Sequence, residues 1–156
     1  MAAASVQENN RLRRTAEMIL STSASMRQLI PASMTTGVWQ NLSSMAVSAK
    51  LVPDDFIQNG GLVTPWGTSL VLALNQVGYL QVSVMVPNKA ACLRLASLVT
   101  NAMRGNAHLA QLQIGIPSVG PWTTYTNWPL SPGGTHCNVA SSTIEMAFMF
   151  TTARAN

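Results

Sequence analysis

Hydrophobic positions along the chain follow two different periods. From residue 5 to 30, SVQENNRLRRTAEMILSTSASMRQLI, neither Gly nor Pro interrupts, and Leu12, Ala16, Ile19, Ser23, Met26 and Ile30 recur at steps of three and four. That spacing predicts a helix with a narrow apolar stripe on one face. The opposite side carries Asn10, Arg14, Glu17 and Arg27. Ser5 and Glu8 fit the S-x-x-E pattern in which two side chains satisfy backbone N–H groups of a first turn. From Pro31 to Pro65 the period lapses into a connection rich in Ser, Thr, Asn and Gly, read mostly as packed loop. Inside it, a helical patch over 39–51 would put Leu42, Met45 and Ala49 on one face, and Pro53-Asp54-Asp55-Phe56 reads as a helix start or turn.

Pro65-Trp66-Gly67 ends the connection. Proline disfavours a helical conformation at Thr64, and Gly67 tolerates positive φ, so a turn is predicted. Period two follows. Leu70, Leu72 and Leu74 share one side of a strand, and Val71 and Ala73 the other. After the turn-rich Asn75-Gln76-Val77-Gly78, Leu80, Val82, Val84 and Val86 alternate with Gln81, Ser83 and Met85, which predicts an antiparallel hairpin over 67–86.

Pro87-Asn88 then opens a second helix, about 89–103, with Cys92, Leu95, Ala96, Val99 and Met103 on one stripe and Gly105 at the position of a terminating glycine. Residues 106–142 read as irregular. Over 143–152, Ile144, Met146, Phe148 and Phe150 alternate with Glu145, Ala147, Met149 and Thr151, apolar enough to lie centrally in a sheet. The order describes an α+β fold, a single domain over 1–156, with a long amino-terminal helix packed on an antiparallel sheet and one helix backing it.

Composition narrows the class. Charged residues make up 9% of the chain, against roughly 25% in an average soluble protein. The surface must therefore be built from Ser, Thr, Asn and Gln, as in many extracellular and assembled proteins. The net charge is +4, with Arg11, Arg13, Arg14 and Arg27 in the first thirty residues and the other five basic residues scattered. Aromatic residues lie elsewhere in the chain, so the interleaving of nucleic-acid binders is missing and no direct nucleic-acid contact is expected. No stretch reaches the roughly 18 apolar residues of a membrane span, and the opening Met-Ala-Ala-Ala-Ser lacks the pattern of a signal peptide.

Two cysteines, Cys92 and Cys137, have no CxxC partners. With His108 and His136 they supply the donor types of a tetrahedral zinc site, but the spacing matches no zinc module. A disulfide in an oxidising compartment is the preferred reading; any export signal would then have been removed. His136-Cys137 would pair a thiol with a base only if the bridge were absent, and adjacent side chains diverge. Asp54-Asp55 is the sole close acidic pair, and neighbours in sequence rarely converge on one substrate. Gly133-Gly134 lacks the strand-loop-helix setting of a phosphate loop. Trp122, Tyr125 and Trp128 either stack a sugar or a base or pack a loop onto the sheet. No enzyme chemistry, cofactor or metal is expected.

Taken in order, these segments resemble the globular part of a type IVb pilin, closest to the thin-pilus and typhoid-pilus subunit group. The carriers are the helix over 5–30, Thr64-Pro65-Trp66-Gly67 before a strand, Ala90-Ala91-Cys92-Leu93, and Cys137 as the second cysteine. The resemblance implies a spine helix at 5–30, a helix-to-sheet loop at 31–66, a disulfide-bounded variable region at 92–137 and a final strand at 143–152. It implies a homo-oligomer, a helical filament of identical subunits, with Leu12, Ala16, Ile19, Met26 and Ile30 as the packing face of the spine. It further implies an extracellular, cell-surface pilus exported through the periplasm, active in adhesion, aggregation or mating-pair stabilisation, with a receptor on a host or recipient cell. A processed pilin opens on a long apolar segment with an acidic residue, which would anchor it in the inner membrane; that segment is missing from this sequence. The alternative is a minor pilin or secreted adhesin whose Trp122, Tyr125 and Trp128 contact a glycan.

Overall fold

The unbroken stretch at the amino end forms helix α1, Ala2–Leu29, whose 28 residues span about 42 Å at 1.5 Å per residue. This computed structural model describes residues 2–30, 37–104, 108–117, 120, 122–128, 135–139 and 143–152. Helix α1 starts ahead of Ser5, which leaves the expected capping position inside the helix. Leu12, Ala16, Met18, Ile19, Met26 and Ile30 are buried, with Thr15, Thr22 and Ser23 between them. Those hydroxyls donate to the carbonyls of Arg11 at 2.7 Å, Leu51 at 3.2 Å and Leu20 at 3.0 Å, so burying them leaves no orphaned group.

After α1 come β1 (Gln40–Asn41), α2 (Ser43–Ser48), a 3-10 turn at Asp54–Phe56, β2 (Ile57–Gln58), β3 (Gly61–Leu62), β4 (Leu70–Leu74), β5 (Leu80–Val86), α3 (Lys89–Ala102), β6 (Leu109–Gly115), β7 (Trp122–Tyr125), a second 3-10 turn at Thr135–Cys137, and β8 (Ile144–Phe150). Six of the strands form one antiparallel sheet in the order β1-β4-β5-β8-β6-β7; β2 and β3 pair separately.

Period two decides which side of the sheet is covered. Val82 lies opposite Phe148, which lies opposite Leu112; Val84, Met146 and Ile114 make the next row. All six are buried, and burying a side chain of this size stabilises by about 1.5–3 kcal/mol. Two helices cover that side. Helix α1 packs on α3 and β5, and α3 packs on β5 and β8. The α3 stripe of Cys92, Leu95, Ala96, Val99 and Met103 is buried as its spacing predicts. Asn88 caps that helix, its side chain accepting from the Ala91 N–H at 2.8 Å; Gly105 lies outside the described residues.

Turns account for the hairpin and the entry to the sheet. Asn75 Oδ1 accepts from the N–H groups of Val77, Gly78 and Tyr79, closing β4 onto β5. At Thr64-Pro65-Trp66-Gly67 the Gly67 N–H donates to the Thr64 carbonyl at 2.9 Å, with Gly67 at φ +78. The Trp66 indole N–H reaches Glu8 Oε1 at 2.9 Å, so the turn is tied to the early part of α1.

Several expectations are corrected. The segment 106–142 contains β6 and β7, although it reads as irregular. An extra residue in β6 shifts the register between Leu109 and Gln111 opposite Phe150 and Met149, a β-bulge at Ala110 that breaks the alternation. The connection 31–66 is also less loop-like than expected. Asn59 and Gly60, at φ +53 and +78, make a two-residue turn joining β2 to β3. In α2 the core-facing residue is Ala46 rather than Ala49. Arg27 leaves the solvent side of α1 to donate to the Thr151 carbonyl and, at 2.7 Å, to His108 Nδ1.

Candidate functional site

Cys92, in the first turn of α3, and Cys137, in the second 3-10 turn, are both buried and bonded to each other with Cα atoms 6.0 Å apart. That consumes both thiols, leaving no thiolate for zinc or for His136 to activate. His136 instead meets Tyr125 edge to face, ring centroids 6.0 Å apart. Burial pushes the His136 imidazolium below its usual range and the Tyr125 phenol above its own. Asp54 and Asp55 do not form a carboxylate pair: Asp55 accepts from Arg14 at 2.7 Å, and the Arg14 guanidinium lies 5.8 Å from the centre of the Phe56 ring. The hydrogen bond to Asp55 raises the Arg14 pKa. This exposed pair contributes little to stability. Gly133 and Gly134 lie outside the described residues.

Helix α1 presents two stripes. Leu12, Ala16, Ile19, Met26 and Ile30, the expected subunit-packing face, are buried in the domain's own core. Their contacts are made within the domain, because α1 lies directly on β5 and α3. What α1 turns outward is Val6, Asn10, Arg13, Glu17, Ser21, Ala24 and Gln28, all exposed and again at steps of three and four. Val6 is 57% exposed and Leu29 46%, one near each end of the helix. Between the amino-terminal half of α1 and α3 opens a groove of about 640 Å³, lined by Leu12, Ala90, Ala91 and Leu93 with Glu8 and Arg94 beside them. No helix among the described residues is long and apolar enough to cross a membrane.

The three aromatic residues of the 122–128 segment do not converge. Trp122 and Tyr125 are three apart on β7, and alternation sends them to opposite sides of the sheet. Tyr125 lies opposite Leu112 on the helix-covered side and packs against the core with His136. Trp128 also packs against the core, its indole N–H donating to the Leu109 carbonyl at 3.3 Å. Trp122 alone faces the side that no helix among the described residues covers, opposite Gly115, and is 39% exposed.

That uncovered side holds a groove of about 450 Å³ that sequence reasoning missed. Its rows follow from the register: Gln81 beside Met149, then Ser83, Ala147, Gln113 and Thr124, then Glu145, Gly115 and Trp122. Trp39, just ahead of β1 and 44% exposed, lines the groove from the far side, with the Asn75-Gln76-Val77 turn. A signal existed in the alternating Gln81 and Gln113, but Trp39 and Trp122 are 83 positions apart and only the strand order β1-β4-β5-β8-β6-β7 places both on one groove.

No family model, curated protein or solved structure matches the chain.

Proposed function

We propose that this protein is a structural subunit of a type IV pilin-like filament, exported to an extracellular, cell-surface setting where the fibre serves adhesion or aggregation. The observation that carries the reading is the outward side of α1. A helix about 42 Å long buries one stripe on its own sheet and leaves a second, regular stripe of mostly small or polar residues uncovered. With Val6 and Leu29 exposed near its ends and the groove against α3 alongside, α1 offers a surface on which a second copy can lie lengthwise. Such contacts are heterologous and propagate as an open helix. The buried disulfide fits the oxidising compartments through which such a subunit passes. Anchoring in the inner membrane before assembly belongs to the proposal and would need an apolar helix continuous with α1.

The test is to join an apolar helix to the amino end of α1 in helical phase, express the fusion with a pilus-assembly system, and examine cells by electron microscopy. Filaments are expected, and Ser21→Arg with Ala24→Arg should abolish them while leaving the far-ultraviolet circular dichroism of the unfused domain unchanged. Filaments that tolerate both substitutions would remove α1 from the interface and the proposal with it.

A further inference from the structure

We propose that the uncovered side of the sheet is a binding site for an uncharged oligosaccharide held between Trp39 and Trp122. The sheet itself is the floor of the groove. Ala147 is a small, buried residue at its centre, flanked across the ladder by Ser83 and Gln113. A ligand can therefore approach the sheet closely between longer neighbours. Gln81 donates to Ser83 Oγ at 2.8 Å, and Gln113 donates to Thr124 Oγ1 at 3.3 Å. Each amide is thereby oriented, with one N–H and a carbonyl oxygen remaining for a ligand. A donor and an acceptor on one planar group match two vicinal hydroxyls of a sugar.

The two indoles supply the apolar part. Both are exposed, and both line the groove, with Val77 beside them. The aliphatic face of a pyranose, with its C–H groups on one side, stacks on such a ring. Trp122 is also held in place. Gly120, at φ +73, lies directly beside it, and a Cβ built there would sit 3.1 Å from the indole Cδ1. Five inter-strand steps of about 4.8 Å put the outer strands about 24 Å apart, a span of several linked rings rather than one.

Charge selects among ligands. The described lining residues include no Lys or Arg and one carboxylate, Glu145. Nucleic acids, phosphorylated lipids and acidic glycans would meet no counter-charge among these residues. A hydrocarbon ligand such as an acyl chain would leave the amides without partners, which is costly. A neutral, hydroxyl-rich chain satisfies both indoles and amides. The proposal does not rest on the filament reading: it concerns the side of the sheet away from α1 and is tested on the unassembled domain.

The experiment is a titration of the soluble domain with cellohexaose, maltohexaose, mannohexaose and N-acetylchitohexaose, read by tryptophan fluorescence and isothermal calorimetry, with a hexameric hyaluronan as the charged comparison. Saturable binding of at least one neutral hexasaccharide is expected, weakened at least tenfold by Trp39→Ala and by Trp122→Ala separately. Gly120→Val should weaken it comparably by displacing the Trp122 indole. Circular dichroism and thermal midpoint verify folding for each variant, and Gln113→Ala replaces any that fails. Silence from all four neutral sugars up to millimolar concentration overturns the proposal. So does binding that survives both tryptophan substitutions, or a preference for hyaluronan.

Discussion

Replacing both Cys92 and Cys137 with alanine, or reducing the bond between them, opens a segment closed over a sequence separation of 45. In the chain-entropy account a cross-link lowers the entropy of the unfolded chain by 2.1 + 1.5R ln n cal/mol/K. For n of 45 that is about 13 cal/mol/K, or about 4 kcal/mol at 25 °C. Typical domains have about 5–15 kcal/mol in all, so the reduced protein should be folded but marginal. Native contacts change little on reduction, since β6 and β7 within the closed segment are held to the sheet by the ladder to β8. The assay is urea unfolding followed by circular dichroism on the oxidised protein, the reduced protein and Cys92→Ala/Cys137→Ala. Reduction should cost about 4 kcal/mol and lower the thermal midpoint by on the order of 10 °C for a domain of this size. The double variant should lose about 1–2 kcal/mol more, because both sulfur atoms leave fully buried sites. A loss under about 1 kcal/mol on reduction would refute the reasoning, because the unfolded chain would then gain little freedom when the bond opens.

Asn88→Ala should cost about 1 kcal/mol in chemical denaturation, because Asn88 satisfies the Ala91 N–H at the start of α3. Gly60→Ala should cost about 1–2 kcal/mol by the same measurement. Nothing lies within 4 Å of the added Cβ, so the whole effect is the positive φ of +78. His136, whose folded-state pKa is lowered by burial, makes stability depend on pH. The unfolded chain binds the proton more readily, so this contribution is complete above the ordinary histidine value of about 6.5, declines as pH falls through it, and levels off below the folded-state value. Denaturation midpoints between pH 8 and pH 4.5 should show that loss reduced in His136→Gln.

The elements that could be read from the sequence are those whose period is unbroken. Leu70 to Leu74, Leu80 to Val86 and Ile144 to Phe150 alternate without an insertion, and all three lie side by side in the sheet. Strand β6 was hidden because Ala110 bulges, so Leu109 and Leu112 are three apart although both are buried. The pair β2 and β3 was hidden by length, since two residues cannot display alternation; Asn59-Gly60 was the available clue. Cys92 and Cys137 could be found by counting. Of Trp122, Tyr125 and Trp128, the last two pack as one of the two readings had it, and alternation along a strand sends Trp122 to the other side. Arg27 misled because its long side chain carries the guanidinium from the helix to the Thr151 carbonyl, which no helical wheel displays.

Strand β8 has a consequence for how the molecule is made. It is the latest strand of the sheet in chain order, yet it stands between β5 and β6. Synthesis therefore completes both flanking strands and delivers both cysteines before the piece that joins them exists. Until then Val82 and Val84 on one side and Leu112 and Ile114 on the other lack Phe148 and Met146 between them, and two raw edges of backbone stand ready to pair with a stranger. Shape in this protein is settled late, and a nascent chain stalled ahead of Ile144 would be two sticky halves held by a thread.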